Sequence, residues 1–227
     1  LASVHPERLV GVTDWCTQPP ELTASRIRGT KNPDVRAIID LAPDLVIANK
    51  EENREIDVRR LRDAGVAVWV TQIETVDQAA RSLERLFAEA LGWPQPSWLD
   101  EARTLWLAEV PPLDLRVAVP IWRDPWMVVG PRTFTADLLR RLGCAVLPHD
   151  PSERYPSVEL ATLDSAGADL ILLPDEPYLF TAEDGPEAFT TPTELVSGRL
   201  LTWYGPSLIA AHRELTQALD RWRSATV

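Results

Sequence analysis

The fold class is decided by NPDVRAIIDLAPDLVIANKEENREIDVRRLRDAGVAVWVT, the stretch from Asn32 to Thr71. In its first half, apolar residues stand at helical spacing over residues 35–41, and Pro43 ends the helix that this spacing predicts. Residues 45–48 (LVIA) follow as a short apolar run, which is typical of a strand covered on both faces. The stretch therefore begins with a helix and a buried strand.

The second half of the same stretch repeats this order. A helix is predicted from Glu52 onward, because Val58 and Leu61 lie on one side of it, and Gly65 ends it. Residues 66–70 (VAVWV) then form a second buried strand. Two short parallel strands joined by a helix make a βαβ unit, so the stretch predicts an α/β fold.

The rest of the chain continues the alternation and falls into two lobes. VELATLDSAGADLILL at residues 158–173 weakly repeats VRAIIDLAPDLVIA at residues 35–48, which favours two similar α/β lobes over one large sheet. The further predicted strands span residues 9–13, 26–30, 115–119, 126–129, 145–147, 169–173 and 200–203. The further predicted helices span residues 75–91, 97–107, 133–142, 157–163 and 206–222, and residues 1–8 are predicted to end a helix.

The protein is strongly acidic. The 227 residues carry a net charge of −11, and the positive charge is almost all arginine, Lys31 and Lys50 being the only lysines. An extended surface for nucleic acid or for an anionic membrane is therefore not expected. No stretch is apolar and long enough to predict a membrane-spanning helix.

Signatures of catalysis and of metal binding are missing from the sequence. There is no G-x-S-x-G elbow, P-loop or G-x-G-x-x-G fingerprint. His5, His149 and His212 lie far apart, without the convergent partners that a zinc site needs. We therefore expect no enzyme, no metal site and no cofactor of the protein's own; an enzyme that uses side chains brought together by folding is the alternative.

The two cysteines, Cys16 and Cys144, are too few for a disulfide framework or a four-cysteine zinc site. They fall in different predicted lobes. We expect two free, buried thiols, and a bridge that clamps the two lobes together is the alternative.

Tryptophan gives the strongest signal for a binding site. The chain has 9 Trp but only 4 Phe and 3 Tyr, and several Trp come directly after predicted strands. Because ligands of open α/β sheets bind off the carboxyl ends of the strands, we expect these rings to rim a crevice between the lobes. Large flat rings suit a flat or bulky ligand such as a corrin, a porphyrin or a siderophore chelate. The predicted rim residues are Trp15, Trp122, Trp126, Tyr178, Trp203 and Tyr204.

Two positive charges are predicted near this rim. Lys50 and Arg123 would meet the carboxylates of an anionic chelate, or they are ordinary surface charges. For each aromatic ring taken alone, packing in the core is the alternative to ligand binding. We assign four tryptophans on or beside predicted helices to packing, namely Trp93, Trp98, Trp106 and Trp222.

Several phrases of the sequence resemble those of a known family. GTKNPD (29–34), APDLVIANKEENR (42–54) and LRDAGVAVWVT (61–71) are similar to the first lobe of the helical-backbone metal-receptor family. WRDPWMVVGPRTF (122–134) and DEPYLF (175–180) are similar to phrases of its second lobe. Members of this family are substrate-binding proteins of ABC importers for cobalamin (vitamin B12), ferric siderophores, haem and some metals. The resemblance runs from about Leu9 to the C-terminus.

The resemblance implies a fold of the class III periplasmic-binding-protein type: two α/β lobes with short parallel sheets, bridged by a single backbone helix. The expected division is an N-terminal α/β lobe at residues 1–74, a helical segment with the bridging helix at 75–112, and a C-terminal α/β lobe at 113–227. The bridging helix would hold only about 14 residues, or roughly 21 Å. The first strand and helix that family members carry in lobe 1 are expected to be missing.

The resemblance also implies roles for single residues. In the vitamin B12-binding members a Trp in the last strand-to-helix loop touches the ligand, and Trp203 matches it. The corresponding Trp of the first lobe is replaced here by Asn49, which argues against cobalamin itself. Family members also pair one acidic residue per lobe with arginines of the permease; Glu55 aligns with the first, and Glu176 is our candidate for the second. A solvated glutamate is the alternative for both.

The function that the resemblance implies is capture of a small-molecule metal chelate, such as a cobalamin-like corrinoid, a ferric siderophore or haem. The chelate would be delivered to the permease of an ABC importer. We expect a monomer at an extracytoplasmic, membrane-associated or periplasmic location. The alternative is an intracellular chelate-binding or sensor protein on the same fold.

Overall fold

The computed structural model describes residues 1–110, 112–148 and 152–226. The strands are β1 (Gly11–Val12), β2 (Ser25–Arg26), β3 (Val46–Asn49), β4 (Val68–Thr71), β5 (Leu115–Ala118), β6 (Pro120–Trp122), β7 (Met127–Val128), β8 (Cys144–Leu147), β9 (Leu170–Pro174) and β10 (Thr193–Val196). The helices are α1 (Val35–Asp40), α2 (Glu55–Asp63), α3 (Val76–Arg85), α4 (Ser97–Trp106), α5 (Phe134–Arg141), α6 (Leu160–Asp164), α7 (Gly198–Thr202) and α8 (Ser207–Thr226). A π-helical turn, Leu86–Leu91, continues α3, and Gly92 ends it with a left-handed backbone at φ 63°.

The chain divides into two compact units. The first unit comprises Leu1–Ile73 and Ser82–Pro96, and the second comprises Glu74–Arg81 and Ser97–Val227. Helix α3 therefore contributes residues to both units, whereas α4 lies wholly in the second. The predicted lobe boundaries and the bridging role of the segment that contains α4 stay predictions.

The central βαβ unit predicted from the sequence lies in the first unit. β3 and β4 pair in parallel, with Ala48 opposite Val70, and α2 connects them. The side chain of Asp34 caps α1 by accepting a hydrogen bond from the backbone N–H of Ala37 at 3.0 Å. The fold-determining part of the sequence interpretation is therefore confirmed.

The prediction that both strands of this unit are covered on both faces is wrong. Ile47 of β3 is 36% exposed and Val70 of β4 is 39% exposed. β3 and β4 form a separate two-stranded sheet, as do the parallel pair β1 and β2. A sheet of two strands is too narrow for its apolar residues to be buried on both sides.

The second unit holds a four-stranded parallel sheet in the order β10-β9-β5-β8. All five residues of β9 are buried, as expected of a central strand between helical layers. Helix α4 lies against α8, where Trp106 is 1% exposed and donates a hydrogen bond from its indole nitrogen to the carbonyl of Leu208 at 2.8 Å. Trp106 is therefore a packing residue, as predicted.

Two predicted elements differ from the structure. Residues 200–203, predicted as the last strand, belong to α7 and its C-cap, and the last strand is β10. The apolar pair Leu200–Leu201 has the pattern of a short buried strand, whereas β10 keeps Leu195 44% exposed and has no continuous apolar run. Residues 1–8 contain a 3₁₀ turn at Pro6–Arg8, with no α-helix at residues 1–5.

Candidate ligand-binding surface

The loops that follow β5, β9 and β10 meet at one edge of the second unit's sheet. These strands are neighbours and parallel, so their carboxyl ends lie side by side. β5 leads into the β6–β7 hairpin, β9 into residues 175–189, and β10 into α7. Four apolar side chains there are defined as the aromatic surface: Trp122, Tyr178, Leu179 and Trp203.

The ring pair of Trp122 and Tyr178 forms the centre of this surface. The two rings meet edge to face, with centroids 5.8 Å apart. Trp122 is 43% exposed and Leu179 is 63% exposed. The Tyr178 hydroxyl donates to a carboxylate oxygen of Asp184 at 2.6 Å, and this hydrogen bond raises the pKa of Tyr178. The tyrosine is thus held neutral and in a fixed orientation beside the exposed indole.

Arg123 is neutralised within the protein. One of its guanidinium nitrogens donates to Asp184 and also to Glu187, the latter at 2.5 Å. The guanidinium lies over the ring of Trp126, 5.4 Å from its centroid. The hydrogen bond to Glu187 raises the pKa of Arg123 and lowers that of Glu187. This arginine presents no unbalanced positive charge, in contrast to the role considered from the sequence.

Trp126 lies beneath the surface instead of on its rim. Only 7% of this residue is exposed, and its ring stacks on Phe180 at 5.9 Å and meets Phe189 edge-on at 5.1 Å. The expectation that Trp126 lines a crevice is therefore wrong. The β6–β7 hairpin packs against β9 and buries this ring in the core that also contains Ile171.

Trp203 is held by a neighbouring loop. Its indole nitrogen donates to a carboxylate oxygen of Glu176 at 2.7 Å, and the Arg199 guanidinium lies 4.5 Å from the centroid of its ring. Glu176 also accepts a hydrogen bond from the Thr202 hydroxyl at 3.3 Å. Gly198 allows Glu176 to approach α7 this closely, because a Cβ at position 198 would lie 2.6 Å from Glu176.

Tyr204 takes part in packing. Its ring meets that of Phe134 edge-on at 5.5 Å, and its side chain is half-buried. The structure therefore brings Trp122 and Tyr178 into contact and joins Trp203 to Glu176 of the loop after β9. Tyr204 fastens the loop after α7 to α5.

The first unit has its own loops at the carboxyl ends of its strands. Trp15 follows β1, is 68% exposed and covers Gly29, where a Cβ would lie 3.1 Å from the indole nitrogen. Asn49 is occupied within its loop: its side-chain oxygen accepts from the backbone N–H of Glu51 at 2.8 Å, and its amide donates to the Thr71 hydroxyl at 3.3 Å. Asn49 therefore stabilises the β3–α2 loop.

Three predicted residues remain, Lys50 and Glu55 in the first unit and Glu176 in the second. Lys50 donates to the side-chain oxygen of Gln72 at 3.3 Å. Glu55 is exposed in the first turn of α2, and among the described residues its carboxylate has no side-chain partner. Glu176, by contrast, is half-buried and engaged by Trp203. Their predicted docking roles stay predictions.

Sequence reasoning missed Asp184, Glu187 and Leu179. The two acids pair with Arg123 across 61 and 64 positions of sequence, and no spacing rule connects residues so far apart. Leu179 could have been found, because it lies inside the DEPYLF phrase between two aromatic residues.

Metal-binding groups do not converge in the described parts of the chain: no three His, Cys, Asp or Glu side chains there could hold one ion. His149 lies outside the described residues. Cys16 and Cys144 are both free, the first half-buried and the second buried. Burial raises the pKa of the Cys144 thiol to about 12. Within the described ranges, no helix is both long and apolar enough to cross a membrane.

Comparison with known sequences gives a partial match. No family model matches the chain. A vitamin B12-binding protein of Vibrio cholerae is 30% identical over 81 residues, which make up 35% of this chain and 29% of that protein. In this match the chain therefore spans less than a third of its relative's length.

Comparison of structures extends over nearly the whole chain. The periplasmic vitamin B12 binding protein of Vibrio cholerae superposes with a TM-score of 0.75 at 17% identity, covering 96% of this chain and 90% of that one. A periplasmic heme binding protein from Pseudomonas aeruginosa gives a TM-score of 0.76 at 20% identity, covering 92% and 84%. The fold is therefore that of the periplasmic vitamin B12- and haem-binding proteins. The α/β fold with short parallel sheets that the resemblance to the helical-backbone metal-receptor family implies is therefore confirmed.

Proposed function

We propose that this protein is the substrate-binding component of an ABC importer and that it binds a metal chelate of the corrinoid, haem or ferric-siderophore kind. The observation that carries the proposal is the aromatic surface at the carboxyl ends of β5, β9 and β10. Exposed Trp122 and half-buried Trp203 are large planar groups that a soluble protein ordinarily buries. Planar rings at this edge suit a bulky, flat ligand.

The relatives support the same class of ligand. Proteins of the same fold carry names that specify vitamin B12 and haem as their ligands. The proposed chemistry is binding alone, without bond-making. The bound chelate is proposed to be handed over by a monomer at the outer side of the membrane.

Docking to the permease is proposed to involve Glu55. Its carboxylate is exposed at the beginning of α2, where the partial positive charge of the helix end favours an acid. An acid that is accessible and has no side-chain partner among the described residues remains available for an arginine on another protein. Glu176 is a weaker candidate, because its carboxylate already accepts two hydrogen bonds.

The proposal is tested by titrating the protein with cyanocobalamin, haemin and a ferric trihydroxamate while following intrinsic Trp fluorescence, corrected for inner-filter absorption. We expect saturable quenching by at least one ligand, and a 10- to 100-fold loss of affinity in Trp122→Ala, or about 1.4–2.7 kcal/mol.

The matched control is Trp222→Phe. Trp222 lies 15 residues beyond the start of α8, or about 22 Å along the helix from the loop edge, so this variant is expected to keep the parent affinity. Binding of none of the three ligands would contradict the proposal.

A further inference from the structure

The loops around the aromatic surface carry a marked excess of negative charge. The acidic residues of segments 122–126, 175–187 and 197–204 are Asp124, Asp175, Glu176, Glu183, Asp184 and Glu187, and the basic ones are Arg123 and Arg199. Six carboxylates thus stand against two guanidinium groups in the loops that frame Trp122 and Tyr178. The excess bears on the ligand because these loops also hold the exposed side chains of Trp122 and Leu179.

Both guanidinium groups are already engaged inside the protein. Arg123 is shared between Asp184 and Glu187, and 26% of its side chain is exposed. Arg199 lies over the ring of Trp203 and occupies one face of that indole. An anionic ligand would therefore have to displace Asp184 or Glu187 before it met Arg123, at the cost of that contact. Arg199 keeps its positive charge, so it is the one cation set against the remaining carboxylates of these three segments.

Three carboxylates of these loops have no positively charged partner among the described residues. Asp124 and Glu183 are exposed, and neither has a side-chain partner in the part of the chain that the structure describes. Asp175 accepts a hydrogen bond from the backbone N–H of Gly198 at 2.7 Å, a donor that brings no positive charge. The faces of the indole and phenol rings are themselves electron-rich and attract cations. Each of these features disfavours a negative ligand.

We infer that the aromatic surface selects chelates whose net charge is neutral or positive and discriminates against anionic ones. The inference rests on the proposed function, since it assigns a charge class to the ligand of that same surface. The rings supply the apolar contacts that bind a bulky ligand. The surrounding carboxylates repel a ligand of negative charge and thereby determine which ligand charge is accepted. The charge of the groups at the periphery of a corrinoid or siderophore thus becomes a specificity element.

The test uses ligands that differ only in charge. The probes are a ferric trihydroxamate with one free terminal amine, its N-acetyl derivative and its N-succinyl derivative, which are cationic, neutral and anionic at pH 7. Cyanocobalamin and a monocarboxylate made by hydrolysing one of its side-chain amides form a second pair. Dissociation constants are measured by Trp quenching in 20 mM and in 300 mM NaCl.

We expect the anionic member of the bound series to bind about tenfold more weakly than the cationic or neutral member at low salt. The ratio of the dissociation constant of the anionic member to that of the cationic or neutral member should decrease at high salt, because exposed charges are screened. The double variant Asp124→Asn/Glu183→Gln should reduce the ratio, whereas Glu101→Gln, an exposed acid on α4, should leave it unchanged.

The outcomes separate this inference from the proposed function. Equal or tighter binding of the anionic member overturns the inference while the binding function stands. Discrimination that survives in the double variant also overturns it, because the carboxylates would then not be its source. Failure of every probe to bind overturns the proposed function and the inference together.

Discussion

The indole nitrogen of Trp203 donates a hydrogen bond to the carboxylate of Glu176 at 2.7 Å. The loop after β9 is thereby joined to the loop after α7, 27 positions later in the sequence. Two residues considered for separate roles, ligand contact and permease docking, are thus one structural pair.

This pair should show energetic coupling. Trp203→Phe leaves the Glu176 carboxylate without its indole donor, and we expect a loss of about 1–2 kcal/mol in the free energy of unfolding. Glu176→Gln keeps an acceptor oxygen and should cost less. A double-mutant cycle of Trp203→Phe with Glu176→Ala, which removes the acceptor, should give a coupling energy of about 1 kcal/mol in urea unfolding. Strict additivity of the two changes would show that the hydrogen bond contributes nothing.

Arg123 should be replaceable by lysine only at a cost. A lysine cannot hold Asp184 and Glu187 with the same planar group, nor lie flat on the Trp126 ring. We expect Arg123→Lys to lower the free energy of unfolding by about 1 kcal/mol in low salt. Arg213→Lys is the control, because its pair with Glu214 is long, at 3.7 Å, and 66% of its side chain is exposed. Equal stabilities of the two variants would contradict this role.

Asp164 should make stability depend on pH in the acidic range. Its carboxylate accepts hydrogen bonds from Thr190 and Thr191, and the Thr190 hydroxyl above all lowers its pKa to about 2. The unfolded chain binds this proton near pH 4, so the stabilisation is complete above that pH and is lost as the pH falls through 2.

The measurement compares urea midpoints of the parent with those of Asp164→Asn between pH 7 and pH 2. The parent should be more stable at pH 7, and the gap should close toward pH 2. Glu101→Gln, at an exposed position of the same unit, should follow the parent at neutral pH. A gap between the parent and Asp164→Asn that is independent of pH would refute the assignment.

Gly198 should not tolerate a methyl group. A Cβ there would lie 2.6 Å from both Cγ and the carbonyl oxygen of Glu176, so Gly198→Ala must push the β9 loop away. We expect a destabilisation of about 1–3 kcal/mol, together with weaker chelate binding. Gly205→Ala is the matched control, since no atom would lie within 4 Å of a Cβ at that position, and thermal unfolding should place it within about 0.5 kcal/mol of the parent.

Charge reversal at Glu55 should weaken binding to the permease without changing chelate affinity. Glu55→Lys is expected to weaken binding to the permease in nanodiscs at least tenfold while chelate affinity stays unchanged. Asp63→Lys, an exposed acid at the other end of α2, controls for the change in net charge. Unaltered permease binding in Glu55→Lys, or an equal loss in Asp63→Lys, would remove the docking role.

The sequence predicts those parts of the fold whose information is local. The β3-α2-β4 unit follows from the apolar run at residues 45–48 and from helical spacing closed by Gly65, and both are patterns within a few residues. β10 escapes prediction because an exposed edge strand needs no apolar run, and α7 resembles a strand because five residues are too few to display a helical period.

The candidate site likewise has features that the sequence predicts and features that it does not. The rule that loops at the carboxyl ends of parallel strands share an edge is enough to place Trp122. Trp203 belongs to the same group of loops, but it follows α7 and not the strand predicted at residues 200–203. The neutralisation of Arg123 and the burial of Trp126 depend on residues about 60 positions away, brought close by the order β10-β9-β5. The long-range partners of a side chain are set by topology and packing, which single-sequence patterns do not encode.

Strand β9 ends abruptly at the edge of the core: Pro174 is buried, and the next residue, Asp175, is exposed. Changes on either side of this boundary carry different risks during evolution. Substitution within Leu170–Pro174 disturbs the packing on which folding depends. Insertions or exchanges from Asp175 to Leu179 change the loop residues that a ligand can contact. On this scaffold, ligand specificity can therefore change through replacement of a short loop, while the core of the domain stays the same.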